Sequence, residues 1–145
     1  MTMMAALMGL VVTQTGPAAP PPLQVAVPTI PGVAPDPACG GRPGLNTIAT
    51  CFITTQAAIE GVVEVMNTDF ASQGWLAADG RDNRIVYVKR RPEGGCDAFQ
   101  ILAFAGDSRT IAPAAPAHLA LAAIPSDICA AATTLPAAPA TPPAQ

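Results

Sequence analysis

The chain has 145 residues, of which 17 are prolines and 12 are glycines, and only 12% of the residues are charged, with a formal net charge of −3. This length fits a single domain. The low charge excludes a charge-rich disordered protein, and the negative balance excludes a nucleic-acid binder that depends on overall positive charge. Half of the residues are hydrophobic but only 4% are aromatic, which predicts a small folded unit between alanine- and proline-rich flanks.

The amino-terminal residues 5–12 form an uncharged apolar run, AALMGLVV, which small and polar residues follow. The run is too short to cross the ~30 Å of membrane hydrocarbon as a helix, but it has the length of the apolar part of a secretory signal. We therefore predict a signal peptide over residues 1–15, no integral membrane span, and a periplasmic or extracellular location. No lysine or arginine precedes the run, which makes the signal atypical, and the alternative is a short buried helix or a frayed terminus. The abundant alanine, glycine and proline indicate a GC-rich, bacterial genome.

Cys39, Cys51, Cys96 and Cys129 are the four cysteines of the chain. No spacing forms a Cys-x-x-Cys motif, which argues against a thioredoxin-like redox centre and against zinc held by paired knuckles. The pattern predicts two structural disulfides in an oxidising compartment, with buried free thiols as the alternative. Spacing leaves all three pairings open. We favour Cys39–Cys51 with Cys96–Cys129, because each bridge would tie one end of the domain to its flanking segment.

Proline marks the domain boundaries. Eight prolines fall between residues 17 and 37, but only one falls between residues 44 and 112. Because proline lacks a backbone donor and has a fixed φ, it is scarce inside helices and central strands. We predict a proline-rich linker over 16–38, a disulfide-stapled domain over 39–129, and a disordered tail rich in alanine, proline and threonine over 130–145.

The clearest predicted element is a helix over residues 55–72, with Thr54 as its N-cap and Gly74 just beyond its end. Its apolar residues recur with a period of 3.6 and form one stripe. We expect this stripe to pack on a sheet, although a partner helix or a membrane surface could also cover it. The stripe consists of Ile59, Val62, Val63, Met66 and Phe70.

Segments rich in β-branched and aromatic residues flank the helix and are joined by short links of turn-forming residues. They predict an α+β fold in which one amphipathic helix packs on a small antiparallel sheet of three or four strands, in the order (β)-α-β-β-β, with disordered Pro/Ala-rich flanks. Residues 113–129 are ambiguous between a short helix and an edge segment. The predicted strands cover residues 47–53, 75–78, 84–90 and 97–105.

Residues that could perform catalysis are few. His118 is the only histidine and has small or apolar neighbours, so we predict an exposed or locally bonded ring rather than a general base. Glu60 and Glu64 lie off the apolar stripe and should face water, and Asp107 follows the last predicted strand. The turn 79–83 lacks the spacing of a calcium-binding loop. The sequence therefore predicts no catalytic residue, no cofactor and no metal site.

Five of the seven basic residues fall between positions 81 and 91. On a strand, their charge would gather at both ends of a hairpin and could meet anionic lipid headgroups, wall polymers or an acidic partner. The alternative is that they protect a strand edge from pairing with another chain. The residues of this candidate anionic-partner surface are Arg81, Arg84, Lys89, Arg90 and Arg91.

These features predict an exported bacterial protein that acts as a non-enzymatic binding or structural module of the periplasm or cell envelope. The expected partners are an anionic envelope component or another envelope protein, and nucleic acid is not expected. One alternative is a small secreted enzyme that uses carboxylates or one free thiol. Another is a secreted inhibitor-like module, for which a rigid disulfide scaffold is suited.

Overall fold

A computed structural model describes residues 20–106 and 109–129. The predicted signal peptide, the predicted tail and Asp107 lie outside these ranges, so the first two stay predictions. Within these ranges the chain forms six strands and one α-helix. They are β1 (Ala34–Pro35), β2 (Thr50–Thr55), α1 (Ile59–Ser72), β3 (Leu76–Arg81), β4 (Arg84–Arg90), β5 (Cys96–Phe104) and β6 (Pro116–Ile124).

The structure confirms a mixed α+β fold, but the expected number of strands was wrong. All six strands join one antiparallel sheet in the order β1-β2-β6-β5-β4-β3. Strands β3 to β6 form a meander, and α1 connects β2 in one half of the sheet to β3 at the far edge. We call the side of the sheet covered by α1 the helix face and the other side the back face.

The ambiguous segment 113–129 supplies β6, which lies in the interior of the sheet between β2 and β5. Leu119 and Leu121 face α1 and are fully buried, whereas Ala120 faces the back. Pro116 is the first residue of the strand, a position where its missing donor is tolerated. Pairing on both sides, which no local pattern encodes, therefore decides that this alanine-rich segment is a strand.

The apolar stripe of α1 packs on the sheet. Val62, Met66 and Phe70 are buried, while Ile59 and Val63 are half-buried at one flank of the helix. The helix itself begins at Ile59, so the predicted N-cap at Thr54 was wrong: that residue is buried in β2. Gly74 follows the helix with φ of 90°, the left-handed conformation that favours glycine.

The segment predicted as a linker extends the domain, because its described part packs against the core. Val25 is 6% exposed, and Gln73 exchanges two hydrogen bonds with the backbone of Ala26, at 2.9 and 2.8 Å. An extended, proline-containing backbone can still present apolar side chains to a core, so a high proline content did not mean an unpacked chain. The half-buried members of this contact are Leu23, Val27, Ile30 and Val33.

A shorter segment, residues 36–49, covers part of the back face. It contains two short 3-10 helices, Cys39–Gly41 and Leu45–Thr47. The disulfide between Cys39 and Cys51 fastens this cover to β2, and Cys96 is bonded to Cys129, so the favoured pairing is the one that the structure forms.

Candidate functional site

The pleat of β4 separates the basic residues that the sequence grouped together. Tyr87 packs against Phe70 on the helix face, so Arg84 and Arg90 face the back because successive strand residues alternate. Lys89 lies on the helix face, where its Nζ donates a hydrogen bond to the carbonyl of Gln73 at 2.8 Å. The hairpin strand therefore divides the predicted cluster between two faces.

Two further arginines lie with Arg84 at one end of the back face. Arg81 stands directly opposite Arg84 in the β3–β4 pair. Arg42, in the back-face cover, holds its guanidinium carbon 4.1 Å from the centre of the Phe104 ring, which is a cation–π distance. Phe104 is about 7 Å along β5 from Leu102, the cross-strand partner of Arg84.

We call Arg42, Arg81, Arg84 and Arg90 the arginine surface. All four are exposed, and none forms an ion pair with a residue that the structure describes. Arg90 is about 20 Å from Arg84 along β4, with the half-buried Val86 and Val88 between them. Guanidinium groups donate paired hydrogen bonds to carboxylate or phosphate oxygens, so this surface suits an anionic partner with some apolar contact.

Arg91 does not belong to this surface, because two carboxylates already neutralise it. Its Nη2 is 2.7 Å from Asp127 and its Nη1 is 3.7 Å from Asp97. Asp127 also accepts hydrogen bonds from the backbone of Cys96 and Cys129, both at 3.1 Å. The network ties the chain beyond β6 to the start of β5, around the second disulfide.

The prediction that His118 is exposed or locally bonded was wrong. Its ring is 9% exposed, and its Nδ1 is 2.7 Å from an oxygen of Asp36, 82 positions away in the chain. The same oxygen accepts the backbone N–H of Gly40 at 2.7 Å, and the ring stacks on Phe104 at 5.3 Å. This pair fastens the back-face cover to β6.

Thiol chemistry is excluded, since all four cysteines are in disulfides. In the described ranges, the one group with metal-ligand geometry is Cys96, Asp127 and Cys129, and its two sulfurs are bonded to each other. Glu60 and Glu64 are exposed on α1.

Arg42 is the residue that sequence reasoning missed. It stands 39 positions before Arg81, in a stretch of glycine and proline that reads as a loop. Arg42 lies near Arg81 and Arg84 only because the back-face cover packs on the sheet.

No described helix is long and apolar enough to cross a membrane. Comparison of the chain with protein-family models, with curated proteins and with solved structures finds no match.

Proposed function

We propose that the protein is a non-enzymatic binding module of the bacterial cell envelope, exported to the periplasm or the cell exterior, which contacts an anionic envelope component through the arginine surface. One observation carries the proposal: Arg42, Arg81 and Arg84 come together at one end of the back face without a carboxylate partner among the described residues. The two intramolecular disulfides support an oxidising compartment.

The cross-strand pair of Arg81 and Arg84 favours binding over edge protection. Like charges directly opposite each other destabilise a sheet, and a bound anion would remove that repulsion. Edge protection would account for Arg81, which lies on the edge strand β3, but Arg84 lies on an inner strand and Arg42 lies outside the sheet. A phosphate-bearing partner accounts for all three residues.

The proposal is tested by binding to two anionic probes: vesicles containing phosphatidylglycerol, and soluble polyphosphate. Vesicles of phosphatidylcholine alone are the neutral reference. We expect saturable binding to at least one anionic probe and a loss of affinity with rising salt. Vesicle binding alone would identify a lipid surface, and polyphosphate binding alone would identify a soluble polyanion. Absence of binding to both probes at low salt would refute the proposal.

Arg84→Gln and Lys89→Gln are matched variants, because they remove the same charge from opposite faces of one strand. A basic residue close to an anionic surface contributes about 1 kcal/mol, so Arg84→Gln should weaken binding about fivefold. Lys89→Gln should leave the affinity nearly unchanged. Equal losses in the two variants would mean that net charge, not the arginine surface, determines binding.

A further inference from the structure

A long trough runs along one flank of α1 on the helix face, on the opposite side of the sheet from the arginine surface. It consists of two adjoining cavities of about 340 and 430 Å³, which share Asn67 and Ile85. One wall is a row of helix residues spaced four apart, a natural ridge of an α-helix. The row runs about 18 Å from Ile59 to Ala71. Its members are Ile59, Val63, Asn67 and Ala71.

The floor of the trough is mainly apolar. Ile85, Ile101 and Ala103 line the first cavity, and Trp75 and Leu76 line the second. Leu76 is 64% exposed, so a large apolar group stands at the rim without cover.

Asn67, which lines both cavities, is hydrogen-bonded to Tyr87, which lines the second. The Tyr87 hydroxyl donates a hydrogen bond to Oδ1 of Asn67, and burial raises the pKa of Tyr87 above its ordinary value. This bond ties the middle of α1 to β4, so the helix wall of the trough is fixed to the strand beneath it.

The charges along the trough are of one sign. Glu60, Glu64 and Asp82 line the first cavity and Asp79 lines the second, whereas no lysine, arginine or histidine lines either cavity. None of these carboxylates forms an ion pair within the part of the chain that the structure describes. An apolar floor with an acidic border is complementary to a ligand that is both apolar and cationic.

We infer that the trough binds an extended peptide segment of a partner protein in which apolar and basic residues alternate. A length of about 18 Å accommodates five or six extended residues. Alternate side chains of such a segment point in opposite directions, so the apolar set can enter the trough while the basic set reaches the carboxylates at its border. The two cavities adjoin end to end, which favours an extended chain over a compact small molecule. This inference is independent of the arginine surface.

Trp75, the only tryptophan of the chain, lines the trough and reports on its occupancy. Three blocked hexapeptides would be titrated into the full-length protein: alternating Leu-Lys, alternating Leu-Glu and alternating Ser-Lys. We expect a saturable change in tryptophan emission with the Leu-Lys peptide and none with the other two. Equal binding of the Leu-Glu peptide, or no saturable binding of the Leu-Lys peptide, would overturn the inference.

Variants that remove charges test whether the Leu-Lys peptide binds in the trough. The double variant Glu60→Gln with Glu64→Gln should weaken Leu-Lys binding about fivefold, because it removes two exposed carboxylates that can pair with the lysines of the peptide. Glu93→Gln, an exposed position in the β4–β5 turn, is the control and should change nothing, as should Arg84→Gln. A Leu-Lys affinity that survives the double variant would refute the trough as the site. Arg84→Gln acts on anionic probes alone, so failure of this inference can be told from failure of the proposed function.

Discussion

On the helix face, the rings of Phe70, Tyr87 and Phe99 pack with centroids 4.9–5.4 Å apart. On the back face, alanines and one disulfide fill most of the corresponding layer, and Phe104 is its only buried aromatic residue among those described. Along β6, Leu119 and Leu121 point to one side and alanines point to the other. The free energy gained by burial scales with the apolar area buried. The helix face is therefore stabilised by side-chain packing, whereas the back face buries less apolar area and depends on other interactions.

The back-face cover is held by a disulfide and by a buried hydrogen bond. Cys39 is bonded to Cys51, and Asp36 is paired with His118. Small side chains let the cover lie close to the sheet but give it little area to bury. An alanine-rich chain can therefore stabilise one layer by side-chain packing and the second by a disulfide and a buried hydrogen bond.

The two faces also differ in charge. Four exposed arginines stand on the back face, while carboxylates border the trough on the helix face, and neither set forms an ion pair with a described residue. A formal net charge of −3 conceals this division, because it sums over both faces.

The largest expected effect tests the packing of the helix face. Phe70 is fully buried against two other rings, so Phe70→Ala should lower the free energy of unfolding by about 3–5 kcal/mol. Glu64→Ala, exposed on the same helix, should change it by no more than about 0.5 kcal/mol. Urea melts of both variants measure the difference. Small, equal effects would mean that the ring is not part of a core.

The next effect tests the disulfide on the back face. Replacing Cys39 and Cys51 together by alanine should cost about 3 kcal/mol, as loop entropy predicts for a bridge of this span. Hydrogen exchange sharpens the test: residues 36–49 should lose protection while α1 keeps it. Parallel loss of protection in both segments would show that the two layers are not separately stabilised.

The smallest effect concerns Tyr87, the only tyrosine of the chain. Burial raises its pKa in the folded state above the ordinary value of 10.0. Above pH 10.0 the unfolded chain therefore loses a proton that the folded chain keeps, so stability falls as the pH rises. Tyr87→Phe should cost about 1 kcal/mol at neutral pH through the lost hydrogen bond to Asn67.

Urea melts of wild type and Tyr87→Phe between pH 8 and pH 11 test the raised pKa of Tyr87. All other titratable groups contribute equally to the pH dependence of stability in the two proteins. The difference in the free energy of unfolding between the two proteins should become smaller as the pH rises above 10.0. A difference that stays constant would contradict the raised pKa.

Local patterns determined a good part of the fold. Strand β4 has the limits, Arg84–Arg90, that its β-branched and aromatic content predicts. The buried stripe of α1 follows from the helical period of its apolar residues. Gly74 has the left-handed conformation expected of a glycine just beyond a helix end. The disulfide pairing also matches, because short-range bridges at each end of a small domain are the pairings that tie down its flanking segments.

Tertiary structure alone decided the rest. Segment 116–124 is rich in alanine, which favours a strand no more than a helix, so its identity as an inner strand comes from pairing with β2 and β5. Val25 reaches the core through an extended backbone that proline content had marked as a linker. Of the candidate basic surface, Arg81 and Arg84 are cross-strand partners and Arg90 lies at the other end of the same face, while Arg91 is neutralised by Asp97 and Asp127. Arg42 joins Arg81 and Arg84 only because the chain folds back over β5, and contacts between distant positions leave no periodic signal in the sequence.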